Sequence, residues 1–157
     1  MNKGNTQNAS LAIPAARSLP PLPCLCASLR RAARVLTQAY EEELRPQRLR
    51  STQFTVLQAL QFTGEISQGQ LAEILAMDST SLTRTLRTMN TRHWIAARPG
   101  KDRRERLVAL SKAGSRKLEQ ATPAWKRAQA NARARLGRNR WTKLMALTGE
   151  IAGMKRI

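Results

Sequence analysis

Apolar side chains recur along the chain first at helical spacing, then briefly in alternation, then at helical spacing again. Leu25, Leu29, Ala33, Leu36, Tyr40 and Leu44 fall at steps of four and three, which predicts one stripe of a helix of about 20 residues. Pro23 is tolerated as its first residue and Pro46 marks its end. A second helix is expected from about Thr52, with Phe54, Leu57 and Leu60 inward and Gly64 as its stop. Ser67 opens a third, with Gln70 three residues on as the reciprocal partner of a capping box. Leu71, Ile74 and Leu75 supply its apolar face. Asp78 caps a fourth helix that turns Leu82, Leu86 and Met89 inward.

Between the third and fourth helices, Ala76, Met77 and Asp78 form a tight corner, and two short helices at such a corner make a helix-turn-helix. Two candidate strands follow, residues 94–98 and 106–110, flanking the polar, charge-dense stretch from Pro99 to Glu105. A hairpin directly after the second helix makes the motif a winged one. Helical spacing then returns with Leu118, Ala121, Trp125, Ala128, Ala132 and Leu136. It resumes after a break near Gly137 with Trp141, Leu144, Thr148 and Ile151. Pro123 is expected to bend this helix without ending it, because the stripe continues beyond it. The terminal helices are long for so small a domain, and part of their stripe needs a second chain to cover it. The expected fold is mainly α with a small β-hairpin wing: a winged helix-turn-helix over residues 51–110 and a helical dimerisation region formed by residues 23–50 and 111–157.

Composition narrows the chemistry. The chain of 157 residues carries 28 Lys+Arg against 10 Asp+Glu, a formal charge of +18. Arginine supplies 21 of those cations, and its forked guanidinium suits phosphate and base edges. Such a charge points to a polyanion, nucleic acid before an anionic membrane. One His and two Asp leave little for a catalytic triad, a carboxylate dyad or a His-rich metal site, so no enzyme, cofactor or metal is expected. Two Cys do not staple a secreted scaffold, and no apolar run approaches the ~20 residues of a membrane helix. Aromatic residues at 4% argue against single-strand binding by base stacking. Residues 1–22 read as a disordered, Pro-rich tail. The rival reading, a signal peptide with Leu11 to Cys26 as its apolar stretch, is interrupted by Arg17 and four prolines, so a cytoplasmic, nucleoid-associated bacterial protein is expected.

Leu71-Ala72-Glu73-Ile74-Leu75, then Ser79 to Met89, Trp94-Ile95, and Asp102-Arg103-Arg104-Glu105-Arg106-Leu107-Val108-Ala109-Leu110-Ser111 with Gly114 resemble the MarR family of bacterial transcriptional regulators. The wing is the specific part: Asp, any residue, Arg, alternating apolar positions, a Ser or Thr, and Gly three further on. The resemblance spans about residues 24–150. It implies a homodimeric winged helix-turn-helix protein that binds a pseudo-palindromic double-stranded operator, with the first and last helices forming the dimer region. Where the family usually carries Glu and then Gly at the end of the recognition helix, this chain has Asn90 and His93. A left-handed His93 carries strain that Gly would not.

A half-turn offset from the inward residues selects Thr80, Arg84, Arg87 and Thr91 of the fourth helix as the DNA-facing set, flanked by Ser79, Ser81 and Thr83. Ser and Thr near a helix N-terminus suit phosphate, and Arg84 and Arg87 reach guanine edges. In the wing, Lys101, Arg103 and Arg104 crowd around Asp102. The family match makes Arg104 the minor-groove residue, with Asp102 positioning the turn. The plain alternatives are a solvated polar face and an ordinary charged hairpin tip. Residues 84–106 hold eight cations and two anions, whereas a second block from Lys112 to Lys143 holds ten and one.

The cysteines stay open. In a helix starting near Pro23, Cys24 and Cys26 lie about 200° apart, so a bridge between them would be strained. Cys26 falls in the first turn with Arg30 one turn away. The stretch from Leu25 to Tyr40 also resembles the organic-hydroperoxide-sensing branch of the family. Cys26 falls on that branch's reactive cysteine and Tyr40 on a tyrosine that bonds it, while Arg30 replaces a second tyrosine. The alternative is a small apolar role for Cys26. The functional expectation is a dimeric, sequence-specific regulator, most often a repressor, released by a small-molecule or oxidative effector. The alternatives are a sequence-tolerant architectural DNA-binding protein and a peroxide sensor acting through Cys26.

Overall fold

The computed structural model describes residues 23–102 and 105–154. The proline-rich tail, Arg103, Arg104 and the last three residues of the expected dimerisation region lie outside the described residues. Helix α1 spans Leu25–Leu44 and runs into a short 3-10 helix, Arg45–Gln47. Then come α2 (Ser51–Thr63), strand β1 (Ile66–Ser67), α3 (Gln68–Ile74) and α4 (Ser79–Thr91). Strands β2 (Ile95–Pro99) and β3 (Arg106–Leu110) lead to α5 (Lys112–Leu136) and α6 (Arg138–Gly153).

Capping sets most of these boundaries. Ser67 accepts from the Gln70 backbone N–H at 3.2 Å while Gln70 Oε1 accepts from the Ser67 N–H at 3.0 Å, closing the expected box at α3. Asp78 Oδ1 accepts from the Ser81 N–H at 2.8 Å. That bond and its neighbours hold the Asp78 carboxyl below its ordinary range. At α2 the cap comes from another helix: Glu41 Oε1 accepts from both the N–H and the hydroxyl of Ser51, at 2.8 and 2.9 Å. Helix α1 begins at Leu25, two residues after the Pro23 expected as its first residue. Cys24 is its N-cap in extended conformation (φ −122°, ψ 120°), which puts Pro23 before the helix. The helical angle assigned to the cysteine pair therefore does not apply.

The core is one cluster. Phe54, Val56, Leu57 and Leu60 of α2, Leu71 of α3 and Leu82, Leu86 and Met89 of α4 meet Val108 of β3 and Leu118, Ala121 and Ala124 of α5. Trp125 stacks on Phe54 with ring centroids 5.7 Å apart. Ile74, expected on the apolar face of α3, is exposed; the helix ends there and only Leu71 of that helix is buried. The wing is a three-stranded antiparallel sheet in the order β1-β3-β2. The unforeseen strand β1 contributes only Ile66 and Ser67, opposite Val108 and Leu107. Pro99 is accommodated because β2 is an edge strand. Helix α5 continues through Pro123, and α6 starts after Gly137 at φ 76°.

Helices α1 and α6 are poorly covered. Only Leu44 of α1 and no residue of α6 is buried, and Leu25, Val35, Met145, Leu147 and Met154 are exposed. Among the described residues no helix is long and apolar enough to cross a membrane, and no group of three or more His, Cys, Asp or Glu could hold a metal ion.

Candidate nucleic-acid interface

The amphipathicity of α4 does the positioning. Leu82, Leu86 and Met89 anchor one side in the core, and Ser79, Thr80, Ser81, Thr83, Arg84, Arg87 and Thr91 are all exposed on the rest of the helix. Ser79, Thr80, Thr83, Arg84 and Arg87 line one shallow concavity of about 360 Å³. A second cleft, of about 210 Å³, separates α4 from the sheet. Apolar Leu86, Ile95 and Val108 form its floor, and Gln68, Arg87, Asn90 and Arg106 stand around it. Gln68, Asn90 and Arg106 were not in the DNA-facing set read from sequence. Each comes from a different part of the motif, and only the packing of α3, α4 and β3 brings them together.

Not every hydroxyl on α4 faces outward to a partner. Thr85, Thr88 and Thr91 donate to the carbonyls of Ser81, Arg84 and Thr88 at 3.0, 3.2 and 2.8 Å. Thr91, expected in the contact set, therefore has its proton committed to its own helix. Thr83 behaves differently: its Oγ1 accepts from Gln68 Nε2 at 2.6 Å.

The wing is held at both ends. At its tip, Gly100 N–H donates to the Glu105 carbonyl and Glu105 N–H to the Asp102 carbonyl, each at 2.9 Å. Lys101 and Asp102 are exposed there, Asp102 making a further interaction of its own. Arg103 and Arg104 lie outside the described residues, so their expected roles remain as read from sequence. At mid-wing, Arg98 of β2 makes a two-pronged ion pair with Glu65, its Nε 2.9 Å from Oε2 and its Nη2 on Oε1. This pairing holds the Glu65 carboxyl below, and the Arg98 guanidinium above, their ordinary values.

At the base, His93 takes the left-handed conformation (φ 55°), in which it carries the strain that a Gly would not. Its carbonyl accepts from the Ser111 hydroxyl at 2.6 Å, and Ser111 Oγ in turn accepts from the Gly114 N–H at 2.9 Å to cap α5. Trp94 sits between two cations: the Arg92 guanidinium 4.9 Å and the Lys117 ammonium 5.6 Å from its ring centroid. Arg92 donates to the Arg48 carbonyl at 2.9 Å and Lys117 to that of Gln47. Burial, and then the charges of Arg92 and Arg48, push the Lys117 ammonium below its ordinary value. These contacts tie the end of α1's 3-10 extension to α4, the wing and α5.

A further cleft of about 420 Å³ lies between α1, α2 and the corner before α4, lined by Leu36, Thr37, Tyr40, Ser51, Thr52, Thr55, Leu75 and Met77. Burial raises the Tyr40 phenol above its ordinary value, and its hydroxyl donates to Gln129 Oε1 at 2.7 Å. Cys24 and Cys26 are free and exposed. Cys26 and Tyr40 are not neighbours within one chain: fourteen residues of helix separate them by about 21 Å. Arg30 stands one turn from Cys26 on α1.

A two-helix corner with a fixed basic helix and an adjoining three-stranded wing defines a winged helix-turn-helix protein. The sequence profile of the MarR family matches residues 49–105. Over 92 residues, 59% of this chain and 67% of the relative, the sequence is 32% identical to the uncharacterized HTH-type transcriptional regulator YwoH of Bacillus subtilis. The M. tuberculosis transcriptional regulator MosR, solved in complex with DNA, is 34% identical and superposes with a TM-score of 0.72. That match covers 82% of this chain and 96% of MosR. A mutant MarR from E. coli complexed with operator DNA shares the fold at 22% identity and a TM-score of 0.72, covering 81% of this chain and 92% of that one. The chain belongs to the MarR family of transcriptional regulators and is not an enzyme.

Proposed function

We propose that this protein is a homodimeric regulator that binds a pseudo-palindromic double-stranded operator, and that it acts as a repressor released by an effector in the bacterial cytoplasm. The observation that carries the reading is the division of α4: three core anchors on one side, and on the other Ser79, Thr80, Thr83, Arg84 and Arg87 around a single concavity. MosR, the 34% identical neighbour, was solved with DNA bound. Each subunit presents α4 to a major groove, Arg84 and Arg87 to base edges and the hydroxyls of the first turn to phosphates. The wings, with Lys101, Asp102, Arg103 and Arg104, lie toward the flanking minor grooves.

The uncovered apolar side chains of α1 and α6 support the dimer, with residues 23–50 and 111–157 as the dimerisation region and 51–110 as the DNA-binding domain. The cleft beneath α1 suits an effector. A small molecule there touches α1 through Tyr40 and the corner before α4 through Leu75 and Met77, so its binding biases the position of α4 relative to the dimer helices.

The deciding experiment is competition of a promoter fragment from its own gene neighbourhood against bulk DNA at fixed salt. The regulator displaces bulk DNA far more readily with the promoter fragment, and equal competition would favour the architectural reading. Arg84→Ala or Arg87→Ala relaxes sequence preference. Lys112→Ala weakens binding evenly and lowers the salt slope by about 1.

The exposure of Cys26 at the start of α1 favours a second, oxidative route to release. Its sulfur attacks the terminal peroxide oxygen of an organic hydroperoxide, the O–O bond breaks, and Cys26 becomes a sulfenic acid as the alcohol departs with the proton. Tyr40 can approach Cys26 only from a second chain. Mass spectrometry after mild hydroperoxide treatment decides the point: an unmodified Cys26 would sink the oxidative route.

A further inference from the structure

We infer that Gln68, at the start of α3, is a specificity-determining residue that fixes the hydrogen-bonding polarity of Thr83 toward the base pair it meets. This rests on the reading of α4 as the groove-entering helix. Two independent observations support it.

The first is the bond itself. Gln68 Nε2 donates to Thr83 Oγ1 at 2.6 Å, across fifteen residues, on the exposed side of the motif. A threonine hydroxyl has one proton and two lone pairs. With a lone pair engaged by Gln68, the proton is directed away from Gln68. Arg106 lines both clefts that Gln68 borders, the one against the sheet and the one beside Ser79. A guanidinium only donates, so it favours the amide oxygen and leaves the amide nitrogen for Thr83.

The second is where the proton does not go. Thr85, Thr88 and Thr91 each give theirs to a carbonyl of α4. Thr83 makes no such bond to its helix, and it lines the concavity shared with Arg84 and Arg87. Thr83 thus differs from Thr85, Thr88 and Thr91 in presenting a donor to the groove, and Gln68 keeps it one. In a major groove a donor selects acceptor edges, guanine O6 and N7 or thymine O4, over the amino group of cytosine. Reversing a G·C pair at that position exchanges one for the other, so the preference is for the orientation of a base pair.

The test is selection from a library of short random duplexes with the full-length wild type, Gln68→Glu, Gln68→Ala and Thr83→Val. Thr83 is exposed and Gln68 half-buried, and neither belongs to the core cluster, so these changes leave the core intact. A carboxylate only accepts, so Gln68→Glu draws the Thr83 proton to itself and leaves lone pairs facing the groove. At one position per half-site, the wild type prefers one base-pair orientation by about two- to tenfold, the value of a single hydrogen bond. Gln68→Glu inverts that preference, and Gln68→Ala and Thr83→Val flatten it. The added charge of Gln68→Glu lowers affinity for every sequence but cancels from the ratio. If wild-type preferences persisted unchanged in Gln68→Glu and Thr83→Val, the inference would fail while the reading of α4 stood. A wild type with no base preference at any position would overturn both.

Discussion

The carbonyl oxygen of Trp94 lies 1.9 Å from where a Cβ on Gly114 would stand. The close approach seats the first turn of α5 against the stem of the wing, and Ser111 N–H donates to the same carbonyl at 3.2 Å. Gly114→Ala forces backbone to move, because the atom it meets is main chain. Overpacking of this kind costs about 1–3 kcal/mol, readable as a lower urea midpoint. DNA affinity should fall further than the folded fraction does, since the wing shifts with its stem.

The two faces of α4 should separate cleanly under mutation. Leu82 is fully buried, and Leu82→Ala is expected to cost about 2–5 kcal/mol of stability. Arg84 is exposed, so Arg84→Ala should leave stability within about 0.5 kcal/mol while relaxing operator preference. Denaturation and binding measured on the same two variants check this. A stability loss in Arg84→Ala comparable to that in Leu82→Ala would contradict the placement of α4.

Acid should loosen the wing through Glu65. Its carboxyl titrates below the ordinary value of 4.5 because Arg98 donates to it. A carboxyl depressed in the folded state stabilises above its unfolded value, and that contribution is lost as pH falls through the folded value. Glu65→Gln should therefore melt below the wild type at neutral pH, and the two melting temperatures should converge as the pH is taken below 4.5. Parallel curves across that window would show that the ion pair contributes nothing.

If α1 and α6 meet a second chain, charging their apolar faces should part the subunits. Val35 and Leu147 are 58% and 54% exposed in the isolated chain, so Val35→Glu or Leu147→Glu costs the lone subunit little. Sedimentation should give twice the chain mass of 17.5 kDa for the wild type and a shift toward the single chain for the variants. A wild type sedimenting as a single chain refutes the dimer outright.

Legibility in the sequence followed the range of the interactions. The caps at Ser67 and Asp78 and the inward faces of α2 and α4 rest on residues three or four apart, and each was readable. Strand β1 was not, since two residues carry no period and Ile66 and Ser67 are held by partners 42 and 40 positions away. Ile74 looked like core from its spacing, but α3 ends before anything covers it. The outward residues of α4 followed from the helix period alone. Which of their hydroxyls remain available did not, because that depends on Gln68 for Thr83 and on the helix's own carbonyls for Thr91.

The three tryptophans occupy unlike surroundings: Trp94 between two cations at the wing stem, Trp125 stacked on Phe54 in the core, Trp141 half-exposed on α6. The molecule thus carries an intrinsic fluorophore in each of its working parts. Substituting two of them by Phe leaves a single emitter that reports DNA seating, unfolding or subunit separation, with no label attached.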